Sequence, residues 1–269
     1  MEWFKYHGAG NDFLVADARN CTSDLSEEQV RRLCDRHCGI GADGIMLLKN
    51  SDKGDFGMVY YNSDGSGGMM CGNGGRCIVA FAADRGIGHF RFEAPDGMHE
   101  AELLSSEGNV KVVRLKMKDV GGVQQLSPDA FFLDTGTRHY VRFVQDLALF
   151  DVVAEGRRVR QDARFAPQGT NANFVENKGG VLWVRTYEKG VEDETLACGT
   201  GVVASAIAAY LHGEREDYSE DGCVSYRLQA RISPLTVDFV PSGHGGKFAA
   251  REVWLTGPAE YVCSVEIDL

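Results

Sequence analysis

The sequence predicts an α+β protein of two similar halves, each a mainly antiparallel, barrel-like sheet wrapped around a central helix. Three observations predict it. Glycine supplies 33 of 269 residues, well above the roughly 7% of ordinary usage, which implies many tight turns and a strand-rich chain. Two segments, "IVAFAADRG" and "VVASAIAAYLHG", are apolar or small nearly all round, the pattern of helices enclosed by protein on every side. Each follows a cysteine set before a glycine cluster, "CGNGG" and "CGTG", so one layout occurs twice. A chain this long favours two domains of about 100–150 residues. The polar, glycine-rich "DVGGVQQLS" puts the boundary between 1–118 and 119–260, with a last strand at about 261–269 returning to the first half.

Along the chain, "EWFKYH" and "FLVAD" open as strands. In "LSEEQVRRLCDRH", Ser26 with Gln29 fits a capping box and Leu25 with Val30 a hydrophobic staple. Val30, Leu33, Cys34 and His37 then share a face, so Cys34 and His37 are read as core-facing. Next, "GIGADG" matches a dinucleotide-binding glycine pattern, but a helix precedes it and the strand-like "IMLLK" follows, the reverse of the required order. "FGMVYYN" leads to the first enclosed helix, and "HFRFEA" and "VKVVRLKM" follow it. "HYVRFV" and "VLWVRTY" lead to the second, and "VSYRLQARI", "LTVDFV", "EVWLTG" and "CSVEIDL" follow that. Gly86 and Gly213 provide left-handed stops for the two enclosed helices. Few helices interrupt the strands.

A formal charge of −11 argues against nucleic acid and anionic membranes as partners, because both need a basic footprint. "MEWFKYHGAGND" lacks an apolar core of signal-peptide length and no later run approaches 18 apolar residues, so a soluble, cytoplasmic protein is expected. The eight cysteines are then expected to be reduced. Cys34 and His37 lack the two further spaced ligands of a zinc site, and no metal is expected. His7 is read as a turn residue bonding the backbone, and Cys77 as core.

Cys71 and Cys198 stand where a helix begins. A thiol there faces unpaired N–H groups and the positive end of the helix dipole, which favour thiolate. The same N–H groups bind carboxylates, and glycine allows a ligand close approach. If both helix starts meet one substrate, one thiolate removes a proton from carbon while the opposite thiol returns one, inverting the centre.

The segments "KYHGAGNDF", "CGNGGRC", "GTNANFVE" and "RTYEKGVEDETLACGTG", spread over most of the chain, resemble the signature segments of the diaminopimelate epimerase family. That resemblance implies two barrel-around-helix domains, no cofactor (neither pyridoxal phosphate nor metal), and interconversion of LL- and meso-diaminopimelate for lysine and peptidoglycan synthesis. It makes Cys71 and Cys198 the acid/base pair. It assigns backbone donors for the reacting carboxylate to Gly72, Asn73, Gly199 and Thr200, and substrate contacts to Asn11, Asn62, Asn171 and Glu188. His139 and Glu188 match polar residues near the thiols, able to orient the amino group or shape thiol acidity. A homodimer is allowed by the resemblance without being required.

Two positions depart from the family pattern. Lys189 replaces the arginine that usually binds a substrate carboxylate, and Thr137 with Arg138 replaces an Asn-Pro or Ser-Pro pair before the histidine. Lysine keeps the charge but loses the two-pronged grip. Arg138 is therefore assigned the distal carboxylate. Two alternatives stand beside this reading: a proline racemase or hydroxyproline epimerase, which also pairs two cysteines at glycine-rich helix starts but has different flanks, and a thiol redox protein.

Overall fold

Strand pairing alone reveals a duplicated molecule. The computed structural model describes residues 2–21, 24–214, 217–218, 222–244 and 247–267, so positions 268–269 of the expected last strand lie outside the described residues. The chain divides into a first unit, Met1–Leu115 with Gly257–Leu269, and a second, Lys116–Thr256.

In the first unit the order is β1 (Glu2–Gly8), β2 (Asn11–Asp17), α1 (Glu27–Cys34), β3 (Gly44–Lys49), β4 (Phe56–Asn62), α2 (Gly72–Asp84), β5 (Phe90–Ala94), β6 (Gly97–Glu107) and β7 (Val110–Lys116). Successive strands pair antiparallel, parallel, antiparallel, parallel, antiparallel and antiparallel.

In the second unit come β8 (Val120–Gly121), β9 (Gln124–Ser127), β10 (Ala130–Asp134), β11 (Arg138–Phe143), α3 (Val152–Arg160), β12 (Asn171–Lys178), β13 (Val181–Glu188), β14 (Asp193–Thr195), α4 (Gly199–His212), β15 (Asp217–Tyr218), β16 (Val224–Gln229), β17 (Pro234–His244) and β18 (Lys247–Glu266). From β10 through β11, β12, β13, β16 and β17 to β18 the same alternation recurs. The later part of β18 closes the first unit by pairing with β7 and β1. Its earlier part pairs with β8, and β9 pairs with β10, which closes the second.

The pattern has a physical cause. Parallel neighbours cannot be joined by a tight turn and need a crossover. Among the described residues each unit has two parallel pairs and two α-helices to cross with: α1 and α2 join β2 to β3 and β4 to β5, while α3 and α4 join β11 to β12 and β13 to β16. The second helix of each pair becomes the centre. Helix α2 packs on β1, β2, β3 and β6, and α4 on β10, β11, β12, β13, β16 and β17. Cys77 to Ala82, and Val203 to Ala209, are buried without a break. Helices apolar on every face are therefore surrounded by sheet, as the sequence predicts. Both end near left-handed glycines, Gly86 at φ 80° and Gly213 at φ 84°.

Helix α1 has the predicted capping box, the Ser26 hydroxyl accepting from the Gln29 N–H and the Gln29 side chain from the Ser26 N–H. Val30, Leu33 and Cys34 are buried. Burial pushes the Cys34 thiol up to about 11, so it is a neutral core filler. His37 is a correction. The helix stops at Cys34, the Asp35 carboxylate accepts from the His37 and Cys38 N–H groups, and His37 is exposed. His7 is another, since it lies within β1 with Nε2 3.5 Å from a Glu260 carboxylate oxygen.

Helix α3 is absent from the sequence expectations. Its Asp151 cap, which accepts from the Ala154 N–H, was a legible signal, but Gly156 and three valines made the segment a poor helix former. Gly156 is present because of packing: a Cβ there would lie 2.2 Å from Tyr187 Cβ, where the helix rests on β13. Gly156→Ala is therefore expected to lower stability by about 1–3 kcal/mol through overpacking, despite alanine's better helix propensity. Urea denaturation checks this, and a gain in stability would refute it.

Candidate active site

In the first unit the predicted residues gather at one end of the sheet. Asn11 begins β2, Asn62 ends β4, and Gly44, which begins β3, pairs with Asn62. The Asn11 amide donates to Asp43 at 2.7 Å, and the Ser63 N–H donates to the Asp43 carbonyl at 3.2 Å. Asn62 donates to the Ser66 hydroxyl at 3.0 Å, holding the turn after β4. Helix α2 starts beside them. A Cβ on Gly74 would lie 3.3 Å from both Cys71 Sγ and Met46 Sδ and 3.5 Å from the Phe13 ring, so the first turn lies close over β2 and β3.

Cys71 is the cap of α2, and its sulfur accepts from the Gly74 N–H at 3.3 Å. The N–H groups of Gly72 and Asn73 belong to the first turn, where a helix cannot satisfy them itself. Beneath that turn lies Arg76, which the sequence reading missed. It is 0% exposed, and its guanidinium donates to the Gly72 carbonyl at 2.9 Å, Asn73 Oδ1 at 3.0 Å and the Pro258 carbonyl at 3.2 Å. The Arg-Cys pair after "CGNGG" could have drawn attention to it, but an arginine in a polar glycine-rich turn reads as exposed. Cys77 is fully buried core, and burial pushes its thiol far up.

In the second unit Cys198 caps α4 and is 8% exposed. Its sulfur lies 3.4 Å from Thr200 Oγ1, which is 3.0 Å from His139 Nε2. Thr137 Oγ1 lies 2.9 Å from the same nitrogen and 3.1 Å from Thr200 Oγ1. On the far side of the ring, Asn173 Nδ2 is 3.1 Å from Nδ1 and 3.0 Å from the Tyr140 carbonyl. These contacts determine the tautomer. A carbonyl only accepts, so Nδ2 must face Tyr140, while Asn173 Oδ1 accepts from Thr186 at 2.9 Å. The second Nδ2 hydrogen then points at Nδ1, which carries no proton. Nε2–H faces the two threonine hydroxyls, leaving the Thr200 hydroxyl proton able to point at Cys198. Burial holds the His139 pKa down to about 3, so the ring is neutral.

Asn171, His139's neighbour across β12 and β11, donates to the Arg138 carbonyl at 3.2 Å and accepts from the Lys189 N–H at 2.8 Å. The Arg138 guanidinium donates to Gln168 at 3.0 Å. Asn171, Arg138, Lys189 and Glu188 at the end of β13 are thus brought together. The second glycine of "CGTG" also has a packing reason, because a Cβ on Gly201 would lie 2.3 Å from Asn173 Oδ1.

The two cysteine settings, alike in sequence, differ in detail. Cys71 accepts from a backbone N–H of its own helix and lies in the turn that covers a buried cation. Cys198 has no such cap bond and faces a hydroxyl backed by a neutral imidazole. Among the described residues, no three His, Cys, Asp or Glu side chains are grouped to hold a metal ion, and no helix is long and apolar enough to cross a membrane.

A family model described as diaminopimelate epimerase matches residues 3–119 and 131–221. The diaminopimelate epimerase of Chlorobaculum tepidum is 43% identical over 272 residues, covering 97% of this chain and 99% of that protein. That of Flavobacterium psychrophilum is 40% identical over 271 residues, covering 99% and 100%. Among solved structures, a phenazine biosynthesis protein of the PhzF family from Bacillus anthracis superposes with TM-score 0.74 at 15% identity, covering 100% of this chain and 99% of that one. A probable proline racemase from Agrobacterium radiobacter superposes with TM-score 0.68 at 15% identity, covering 100% and 93%. At such identities these two share the fold.

His139 gives a test of this geometry. Its pKa falls from the ordinary 6.5 to about 3 on folding. Between those values the unfolded chain binds a proton that the folded one does not, so stability is complete above about pH 6.5 and falls as pH drops toward 3. One group contributes a slope of up to about 1.4 kcal/mol per pH unit. Urea denaturation from pH 4 to 7 should show a shallower dependence for His139→Gln than for the wild type; parallel curves would exclude a buried neutral ring.

Proposed function

We propose that this chain, which belongs to the diaminopimelate epimerase family, interconverts LL- and meso-diaminopimelate by proton exchange between two thiols. As a member it is an isomerase acting on an amino acid. The observation that carries the reading is the duplication itself: at the equivalent crossover of each unit a buried helix begins at a cysteine, Cys71 or Cys198.

The chemistry follows from those helix starts. One thiolate takes the α-proton, forming S–H, while the C–H electron pair moves into the adjoining carboxylate. The N–H groups of Gly72 and Asn73, or of Gly199 and Thr200, are suited to hold that growing charge. The opposite thiol gives its proton to the other face of the carbon and becomes thiolate. Charge is conserved, the centre is inverted, and no redox partner enters. Asn11, Asn62, Asn171, Glu188 and Lys189 would position the amino acid, and Arg138 would meet the distal carboxylate. Product of this kind would feed lysine and peptidoglycan synthesis in the cytoplasm.

Incubation with LL-diaminopimelate in deuterated water under reducing conditions is expected to place deuterium at one α-carbon as meso product forms. Cys71→Ala and Cys198→Ala should each abolish inversion, and inversion surviving in either variant would sink the two-thiol scheme. Arg138→Ala should raise KM about tenfold or more, the loss of one charge-assisted contact of about 1.5–3 kcal/mol. An unchanged KM would remove Arg138 from substrate recognition.

A further inference from the structure

The glycine pattern "GIGADG" lies between α1 and β3, and each of its glycines has a packing reason. A Cβ on Gly39 would lie 1.9 Å from the Arg32 carbonyl, one on Gly41 3.0 Å from Arg36 Cα, and one on Gly44 2.7 Å from the Tyr61 carbonyl. The segment is pressed against the end of α1 on one side and β4 on the other. Asp43 is held within it by its own backbone. Its N–H donates to the Asp12 carbonyl at 2.9 Å, and its carbonyl accepts at 3.2 Å from the Ser63 N–H, in the turn that follows Asn62.

The Asp43 side chain is fixed as well. One carboxylate oxygen accepts from Arg36 at 2.8 Å, and the other from the Asn11 amide at 2.7 Å and the Asp12 N–H at 3.3 Å. Arg36 reaches Asp43 from a two-pronged grip on Asp12, at 2.7 and 3.0 Å, and Lys5 lies 2.8 Å from the same Asp12 carboxylate. Burial opposes ionisation of Asp12, yet Arg36 and Lys5 hold its carboxyl down at about 2, so Arg36 has a lasting anchor. The network sets the direction of an amide. A carboxylate only accepts, so Asn11 must turn Nδ2 to Asp43 and leave Oδ1 on the opposite branch. Asn62 has the same polarity. The Ser66 hydroxyl spends its proton on Asp64 at 2.6 Å, so it can only accept, and Asn62 Nδ2 faces it at 3.0 Å and the Gly67 carbonyl at 3.4 Å. An amide oxygen cannot bond a carboxylate, but it accepts from an ammonium group.

We propose that Asp43, braced by Arg36, is a positioning residue that turns the Asn11 amide oxygen toward the substrate, so that Asn11 recognises an ammonium group and not a carboxylate. Asp43 acts on binding through Asn11. The inference rests on the reading of Asn11 as a substrate contact, but the direction of its amide can be measured without substrate. An ammonium group is unchanged while the α-proton leaves and returns. The contact is then equal in ground and transition states, and its loss falls on KM more than on kcat.

The first measurement is exchange of the Asn11 side-chain amide hydrogens with water, followed by NMR in the isotope-labelled full chain. Held by a carboxylate, they should exchange about tenfold or more slower than those of the exposed Asn20 and Asn109, the protection that one charge-assisted contact gives. Equal rates overturn the proposal without any variant. The second measurement transposes the pair. In Asp43→Asn the guanidinium, which only donates, keeps the new amide's oxygen, so its NH2 faces Asn11 and reverses that amide. Asn11→Asp sets two carboxylates face to face. Each single variant should raise KM for LL-diaminopimelate about tenfold or more, with a smaller change in kcat. Asn11→Asp combined with Asp43→Asn should recover most of that loss, because the new amide donates to a carboxylate whose other oxygen still faces the ammonium group. An unchanged KM in folded Asp43→Asn overturns the proposal. So does a folded double variant no better than either single, the result expected if Asn11 met a carboxylate or Asp43 only stabilised the turn. Absence of epimerase activity would refute the proposed function and leave the amide-exchange result standing.

Discussion

A helix start pressed against a surrounding sheet is the problem around which this molecule is built. The first N–H groups of any helix have no partner within it, and in both units the helix concerned is surrounded by sheet, so its first turn must be accommodated against strands. Elsewhere the chain solves the problem conventionally: Ser26 caps α1 and Asp151 caps α3. At α2 and α4 it places sulfur at the cap and glycine in the first turn. The turn then stays close to its sheet, as Gly74 and Gly201 require.

The units repeat a topology without repeating an environment. The alternation of parallel and antiparallel pairs is the same in both, and each parallel pair has its crossover helix. Around the two sulfurs the polar groups differ in kind. The first unit has a cation that cannot lose its charge under ordinary conditions, beneath the capped turn. The second has a chain of neutral groups, Asn173, His139 and Thr200, ordered by the single direction in which the Tyr140 carbonyl can bond. Duplication supplied two equivalent positions, and different side chains are packed behind them.

Much of this was legible in the chain. Period-two segments marked the strands, two all-apolar runs marked the enclosed helices, and Ser26 with Gln29 marked the start of α1. Less legible features share one cause, which is that their reason lies in another part of the chain. Helix α3 contains Gly156 because Tyr187 occupies the space above it, so local propensity argued against a helix that packing required. His37 fits the buried face of α1 by spacing alone, yet the helix ends three residues before it, at the Asp35 turn. His7 looked like a turn residue because glycines follow it, but the strand partner contributes Glu260.

The sequence by itself determined the class of fold, its doubling, and the cysteines at the two helix starts, because periodicity, glycine content and capping are local properties that neighbouring residues carry together. Tertiary structure alone decided which groups surround each sulfur. Arg76 is a buried cation only because Gly8 and Pro258 close over it, and His139 is a neutral donor only because Asn173 and Tyr140 meet it from other strands. Desolvation and hydrogen-bond direction depend on atoms distant in the chain, and they set the charge state of each buried group.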